Sequence, residues 1–121
     1  MENAANAAVD AGLKVHRTLG PGLLESVYEH CLAYELMQRG VNVERQVLLP
    51  VFYGTLQLDA SYRLDLVIDK VLIIEIKAVE NLLPLHHAQL LTYLKLSQLR
   101  LGLLMNFNVA LFKQGLKRIA L

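Results

Sequence analysis

Residues 62–78 read Tyr62-Arg63-Leu64-Asp65-Leu66-Val67-Ile68-Asp69-Lys70-Val71-Leu72-Ile73-Ile74-Glu75-Ile76-Lys77-Ala78. Apolar and β-branched side chains fill both halves, and the polar pair Asp69-Lys70 divides them, which is the pattern of two strands joined by a turn. The second half is a near-continuous apolar run, as expected of a strand covered on both faces. Beyond Arg63 near the start, three charges break the pattern. Asp65 lies between Leu64 and Leu66, and Glu75 and Lys77 interrupt the isoleucines. Burying such groups is costly unless they pair with one another or hold a metal.

The hydrophobic pattern also sets the register. Alternation puts Glu75 and Lys77 on one face of their strand. If Leu64, Leu66 and Ile68 share a core face with Ile76, Ile74 and Leu72, Asp65 falls opposite Glu75. A strict two-residue turn at Asp69-Lys70 would pair Asp65 with Ile74 instead, so one extra residue is required, as a three-residue connection or a bulge. The expected result is Asp65, Glu75 and Lys77 on one face of adjacent strands. Two carboxylates of this kind suit Mg²⁺ or Mn²⁺ with sites left open for water and a phosphate oxygen. A lysine beside them can orient or deprotonate the attacking water. A structural ion pair between Lys77 and one carboxylate is the alternative.

Outward from this hairpin, residues 4–19 and the stretch from Gly22 to about Arg39 carry apolar positions at three- and four-residue steps, so both are expected as helices. Gly20-Pro21 ends the first and Gly40 the second. Residues 45–53, 61–68 and 71–79 read as strands. Pro50 marks the first of these as an edge strand or the site of a bulge, because proline donates nothing to a ladder. Leu85–Ser97 returns to helical spacing, Leu101–Phe107 is a further strand, and Lys117–Leu121 adds a short edge strand. The order α-α-β-β-β-α-β predicts one α/β domain over residues 1–121, with a mixed central sheet flanked by helices.

Composition narrows the function. The 121 residues are 55% hydrophobic with a net charge of +1. A small domain this apolar must leave some apolar side chains at its surface, so a homo-oligomer, most simply a dimer, is expected. The small net charge excludes a strong general field for phosphates, leaving local patches such as Lys113, Lys117 and Arg118. The single cysteine, Cys31, excludes an intramolecular disulfide and reads as a buried thiol. An acidic N-terminal stretch and the shortness of every apolar run predict a cytoplasmic protein with no membrane partner.

The spacing Asp65-x₉-Glu75-x-Lys77 resembles the PD-(D/E)XK nuclease superfamily, with Leu64 in place of the proline that gives the motif its name. Within VHRTLGPGLLESVYEHCLAYEL, Gly22, Glu25 and Tyr28 stand at the spacing of the GxxExxY family. YRLDLVID, VLIIEIKAVE, HHAQLLTYLKL and GLLMNF follow in that family's order. The resemblance covers about residues 5–121. It implies a compact nuclease core acting on nucleic acid with a divalent metal, the metal held by Asp65 and Glu75 and assisted by Glu25. It also implies Lys77 as the catalytic lysine.

Each flanking residue keeps a second reading. Glu25 sits in the first helical turn, where a carboxylate favours the helix dipole. Tyr28 is core or site. Gln89 and Tyr93 lie four apart on one helix face, resembling the Gln-x-x-x-Tyr pattern of the exonuclease-like branch, and Tyr93 is also a candidate core residue. His86, one turn before Gln89, is expected beside the site or on the surface rather than on the metal. Arg63 contacts phosphate or pairs with an acid. Two functions remain open: a Mg²⁺-dependent nuclease with little sequence preference, or a catalytically weak module that binds nucleic acid or a protein partner.

Overall fold

A computed structural model describes residues 1–58 and 62–121 in full. Helices α1 (Glu2–Leu19) and α2 (Glu25–Gln38) are followed by strands β1 (Val43–Tyr53), β2 (Leu56–Ile68) and β3 (Leu72–Lys77). Helix α3 (Pro84–Ser97), strand β4 (Leu101–Asn106), a 3₁₀ turn (Phe112–Gly115) and strand β5 (Leu116–Ala120) complete the chain. The strands form a mixed five-stranded sheet in chain order, parallel only between β3 and β4, where α3 supplies the crossover. The expected α/β domain is present. Ser61, where the sequence reading starts the second strand, lies outside the described residues.

Two apolar layers enclose the sheet. On one face Leu66, Ile68, Leu72, Ile74 and Ile76 pack with the inner stripes of α1 and α2. On the other, Val67, Ile73 and Leu104 pack beneath Leu90, Tyr93 and Leu94 of α3. Residues Leu72–Ile76 are buried without exception, as the apolar run requires. Helix α1 packs closely because its stripe is small: Ala4, Ala8, Ala11 and Gly12 are all buried. A Cβ on Gly12 would lie 2.5 Å from the Phe112 ring.

Several sequence boundaries shift for local reasons. Helix α2 begins at Glu25 rather than directly after Gly22. Gly22 adopts φ 100° in a left-handed loop, and the Tyr28 hydroxyl fixes that loop by donating to Gly20 O (2.6 Å) and accepting from Leu23 N (3.1 Å). Strand β3 ends at Lys77 because the next two backbone N–H groups have side-chain acceptors: Ala78 N donates to Glu25 Oε1 (3.2 Å) and Val79 N to Asn106 Oδ1 (3.1 Å). Pro50 falls where the β1–β2 register shifts, on the edge strand, as its chemistry demands. Leu64 corrects the expected pattern. It joins Leu49, Val67 and Ile73 on the α3 side instead of sharing a face with Leu66 and Ile68. Near it, Gln46 takes φ 51° within β1, between the pairs Arg45↔Leu66 and Val47↔Leu64. A left-handed residue inside a strand breaks strict alternation locally.

Candidate active site

The site lies where β2 and β3 part. Their ladder pairs Ile68↔Leu72, Val67↔Ile73 and Leu66↔Ile74. The connection has three residues, Asp69, Lys70 and Val71, with φ 51° and 58° at the first two and Val71 N donating to Ile68 O (3.0 Å). This is the extra residue that the hydrophobic pattern requires, and it brings Asp65 level with Glu75. There the backbone ladder gives way to side chains. Asp65 N donates to Glu75 Oε2 and Ile76 N donates to Asp65 Oδ2, both at 2.8 Å. Each carboxylate thus satisfies a backbone donor of the opposite strand.

Burial makes the pair electrostatically unusual. Glu75 is only 7% exposed, and its carboxyl is pushed up to about 8. Burial is the main cause and the neighbouring Asp65 charge the second, while the Asp65 N–H and the Lys77 ammonium oppose them. Asp65 is raised as well, again chiefly by burial, with the Glu29 charge adding to the rise and Lys77 opposing it. Two close, poorly hydrated carboxylates share a proton readily, and a cation between them would remove the repulsion.

That electrostatic state bears on metal binding. Among the described residues no three His, Cys, Asp or Glu side chains form a ready-made metal cluster. The donors present are two carboxylates, each with one oxygen on a backbone N–H. Asp65 Oδ1, which carries only a long contact from the Gln46 amide (3.4 Å), and Glu75 Oε1 are the oxygens open to a cation. This is a hard-oxygen set that fits Mg²⁺ or Mn²⁺ with water completing the shell. Lys77, half-buried on the same strand, is the cation whose charge both acids feel.

Helix α2 contributes two acids, Glu25 and Glu29, of which the sequence reading singled out only Glu25. Glu25 accepts from Ala78 N just beyond Lys77, so it anchors the end of β3. The Glu29 charge acts on both Asp65 and Glu75. Glu29 is 8% exposed, and its oxygens take Arg45 (3.0 Å) and the Gln46 amide (2.7 Å). The same amide reaches Asp65 Oδ1 at 3.4 Å. A detectable signal existed: Glu29 lies on the stripe of Glu25, Leu32 and Leu36, so it is an acid at a core-facing position. Tyr28 resolves as core. It is fully buried, and its ring stacks on Phe107 with centroids 4.6 Å apart.

Helix α3 covers the opposite side. Tyr93 is buried in the layer of Leu64 and Ile73, and its phenol is raised by burial first and then by the charge of Glu75, Tyr62 and Asp65. Gln89, half-buried, lies one turn before it. His86 is half-buried near the start of the same helix. Its Nδ1 accepts from Leu83 N (3.0 Å) and so caps its own helix. Arg63 is exposed on β2, two residues before Asp65. Asn106 is a further residue absent from the sequence reading: buried, it binds both Val79 N and Val79 O and fixes the segment after Lys77.

The C-terminal basic group is weaker than its sequence implies, because Arg118 pairs with Glu2. Cys31 is half-buried rather than buried. No helix among the described residues is long and apolar enough to cross a membrane. A family model described as the PD-(D/E)XK nuclease superfamily matches residues 2–119. No curated protein matches the chain, and no solved structure does.

Proposed function

Since the chain belongs to the PD-(D/E)XK nuclease superfamily, we propose that it is a Mg²⁺-dependent nuclease, with Mn²⁺ as a substitute, that hydrolyses phosphodiester bonds with little sequence preference. The observation that carries this reading is the buried Asp65–Glu75 pair at the strand opening, with Lys77 two residues beyond Glu75. Asp65 and Glu75 would hold the ion. When bound, the ion would acidify a water and stabilise charge on the phosphate oxygens. Lys77 would orient the attacking water and take its proton, or steady the phosphate through its ammonium. Gln46, tied to Glu29, orients Asp65, and Glu25 holds the end of β3 so that Lys77 keeps its place. Gln89 and Tyr93 would contact the substrate from α3, and Arg63 would meet a phosphate.

Within the superfamily we place the chain with the GxxExxY kind. The motif has a physical meaning here: Gly22 makes the left-handed loop, Glu25 anchors β3 and Tyr28 clamps the loop. A cytoplasmic location fits the single free thiol. A homo-oligomer, most simply a dimer, is supported by exposed Leu48, Phe52, Tyr53 and Leu56 on the β1–β2 arm. Light scattering at micromolar concentration is expected to give twice the chain mass, and a monomer would refute it.

The activity test is a panel of single-stranded, duplex and branched DNA and RNA in Mg²⁺ and Mn²⁺, with Lys77→Ala purified in parallel. Slow cleavage by the wild type is expected, with cleavage lost in Lys77→Ala while metal affinity stays. Equal cleavage by the variant would assign the activity to a contaminant. No cleavage of any substrate would favour a binding module.

A further inference from the structure

A groove of about 410 Å³ lies between the β1–β2 arm and α3, lined by Val51, Tyr62, Leu85, Gln89, Thr92 and Tyr93. Its volume falls within the range of small-molecule subsites, roughly 300–1,000 Å³. Tyr62 stands three residues before Asp65 on β2, and Tyr93 packs in one layer with Leu64, the residue beside Asp65, so a group seated here adjoins the strand segment that carries the candidate cleavage centre. The Tyr62 and Tyr93 ring centroids are 5.9 Å apart at 50°. Tyr93 is buried while Tyr62 is 44% exposed. A braced ring with open surface is a stacking platform, and the half-buried Gln89 supplies an amide at its edge.

We infer that this groove takes one unstacked nucleobase flanking the scissile phosphate, so the substrate class is single-stranded or locally opened nucleic acid. The inference rests on the nuclease reading and adds the substrate's form to it. Two observations favour this occupant over duplex. A duplex keeps its base faces stacked on one another, so an aromatic groove offers it nothing, whereas any exposed base has a π-face to present. Capture through phosphates alone is also poorly provided for. The net charge is +1, and Arg118 of the C-terminal basic group is engaged by Glu2. Stacking supplies the affinity that phosphate neutralisation does not.

The test uses the full chain with a fluorescent 20-nucleotide oligothymidylate in Ca²⁺, the same oligomer annealed to its complement, and an abasic version of the single strand. Binding and, in Mg²⁺, cleavage are compared for wild type, Tyr62→Ala and Tyr62→Phe. Tyr62 is partly exposed, so both variants should fold, which circular dichroism checks. The single strand is expected to bind more tightly than the duplex or the abasic strand. Tyr62→Ala should weaken its binding roughly tenfold, the scale of one lost base–aromatic stack, while Tyr62→Phe retains it. In cleavage the alanine variant should show a raised KM with kcat little changed. Cleavage with equal affinity and KM in wild type and Tyr62→Ala would overturn the inference and leave the nuclease reading standing. Tyr62-dependent binding without cleavage by any form would uphold the groove and overturn the nuclease reading. A dimer that dissociates on Tyr62→Ala with unchanged oligomer binding would assign the groove to a second copy and overturn the inference.

Discussion

Strand β2 has two halves that differ in kind. From Leu66 to Ile68 it is a central strand, paired with β1 on one side and β3 on the other, and buried throughout. From Leu64 outward the described residues of β2 pair with β1 alone, and Phe52, Tyr53, Leu56, Leu58 and Tyr62 of that two-stranded arm are exposed. Asp65 marks the change. The inner half is held by backbone pairing and apolar burial, whereas at the junction two carboxylates do what backbone carbonyls do elsewhere. Stability and chemistry are therefore separable along one strand. Charges inside an apolar run show where a ladder opens.

The largest expected effect lies in the inner half. Ile74→Ala removes a fully buried side chain from the α1–α2 side of the sheet and should cost ~2–5 kcal/mol of stability. Residual folded protein should keep wild-type Mn²⁺ affinity. Urea unfolding alongside Mn²⁺ titration checks this, and a large fall in affinity at full folding would erase the distinction between the halves.

At the junction the expected effect is smaller and depends on pH. The Glu75 carboxyl lies near 8 in the folded chain, against 4.5 as the ordinary value. Between those values the folded state holds a proton that the unfolded state has lost. Metal-free stability should therefore fall as pH rises from about 4.5 to 8 and then level off, by an amount on the order of a few kcal/mol. Asp65, raised in the same direction, adds to the fall. Glu75→Gln keeps an acceptor for Asp65 N and loses the charge. It should match the wild type near pH 5 and melt at a higher temperature at pH 8.5. Parallel melting curves across this range decide the matter, and identical slopes in the two proteins would contradict the shared-charge account.

Smaller still is the difference between two replacements of one residue. Glu75→Ala leaves Asp65 N without its side-chain acceptor, so it should be less stable than Glu75→Gln by about 1–3 kcal/mol at pH 8.5. Chemical denaturation of both variants measures this. Equal stability would mean that the carboxylate does not support the strand opening.

Much of this junction was legible in the sequence. The apolar pattern of Leu66, Ile68, Leu72, Ile74 and Ile76 fixed which residues face α1 and α2, and it demanded the odd residue at the turn that places Asp65 beside Glu75. Leu64 escaped the pattern because Gln46 leaves the β region inside β1, and no periodicity encodes a single left-handed residue. Glu29 stood on the inner stripe with Leu32 and Leu36, but that stripe did not show what would pair with it. A glutamate on a helix is normally solvated, and only Arg45 and Gln46, distant in sequence, make its burial affordable. Tyr28 and Tyr93 looked alike in sequence, yet one clamps a loop and the other meets Tyr62 of the β1–β2 arm. Which partner a hydroxyl meets is set by tertiary packing, beyond the reach of local spacing.

The central claim is that Asp65 and Glu75 form a divalent-cation site whose proton the metal displaces. The most direct measurement is calorimetric titration of Mn²⁺ into the metal-free chain, repeated in buffers of different ionisation enthalpy at pH 7 and pH 8.5. One ion should bind per chain, with close to one proton released at pH 7 and fewer at pH 8.5, and binding should be lost in folded Glu75→Gln and Asp65→Asn. Unchanged affinity in both variants, or binding with no proton release at pH 7, would contradict the account.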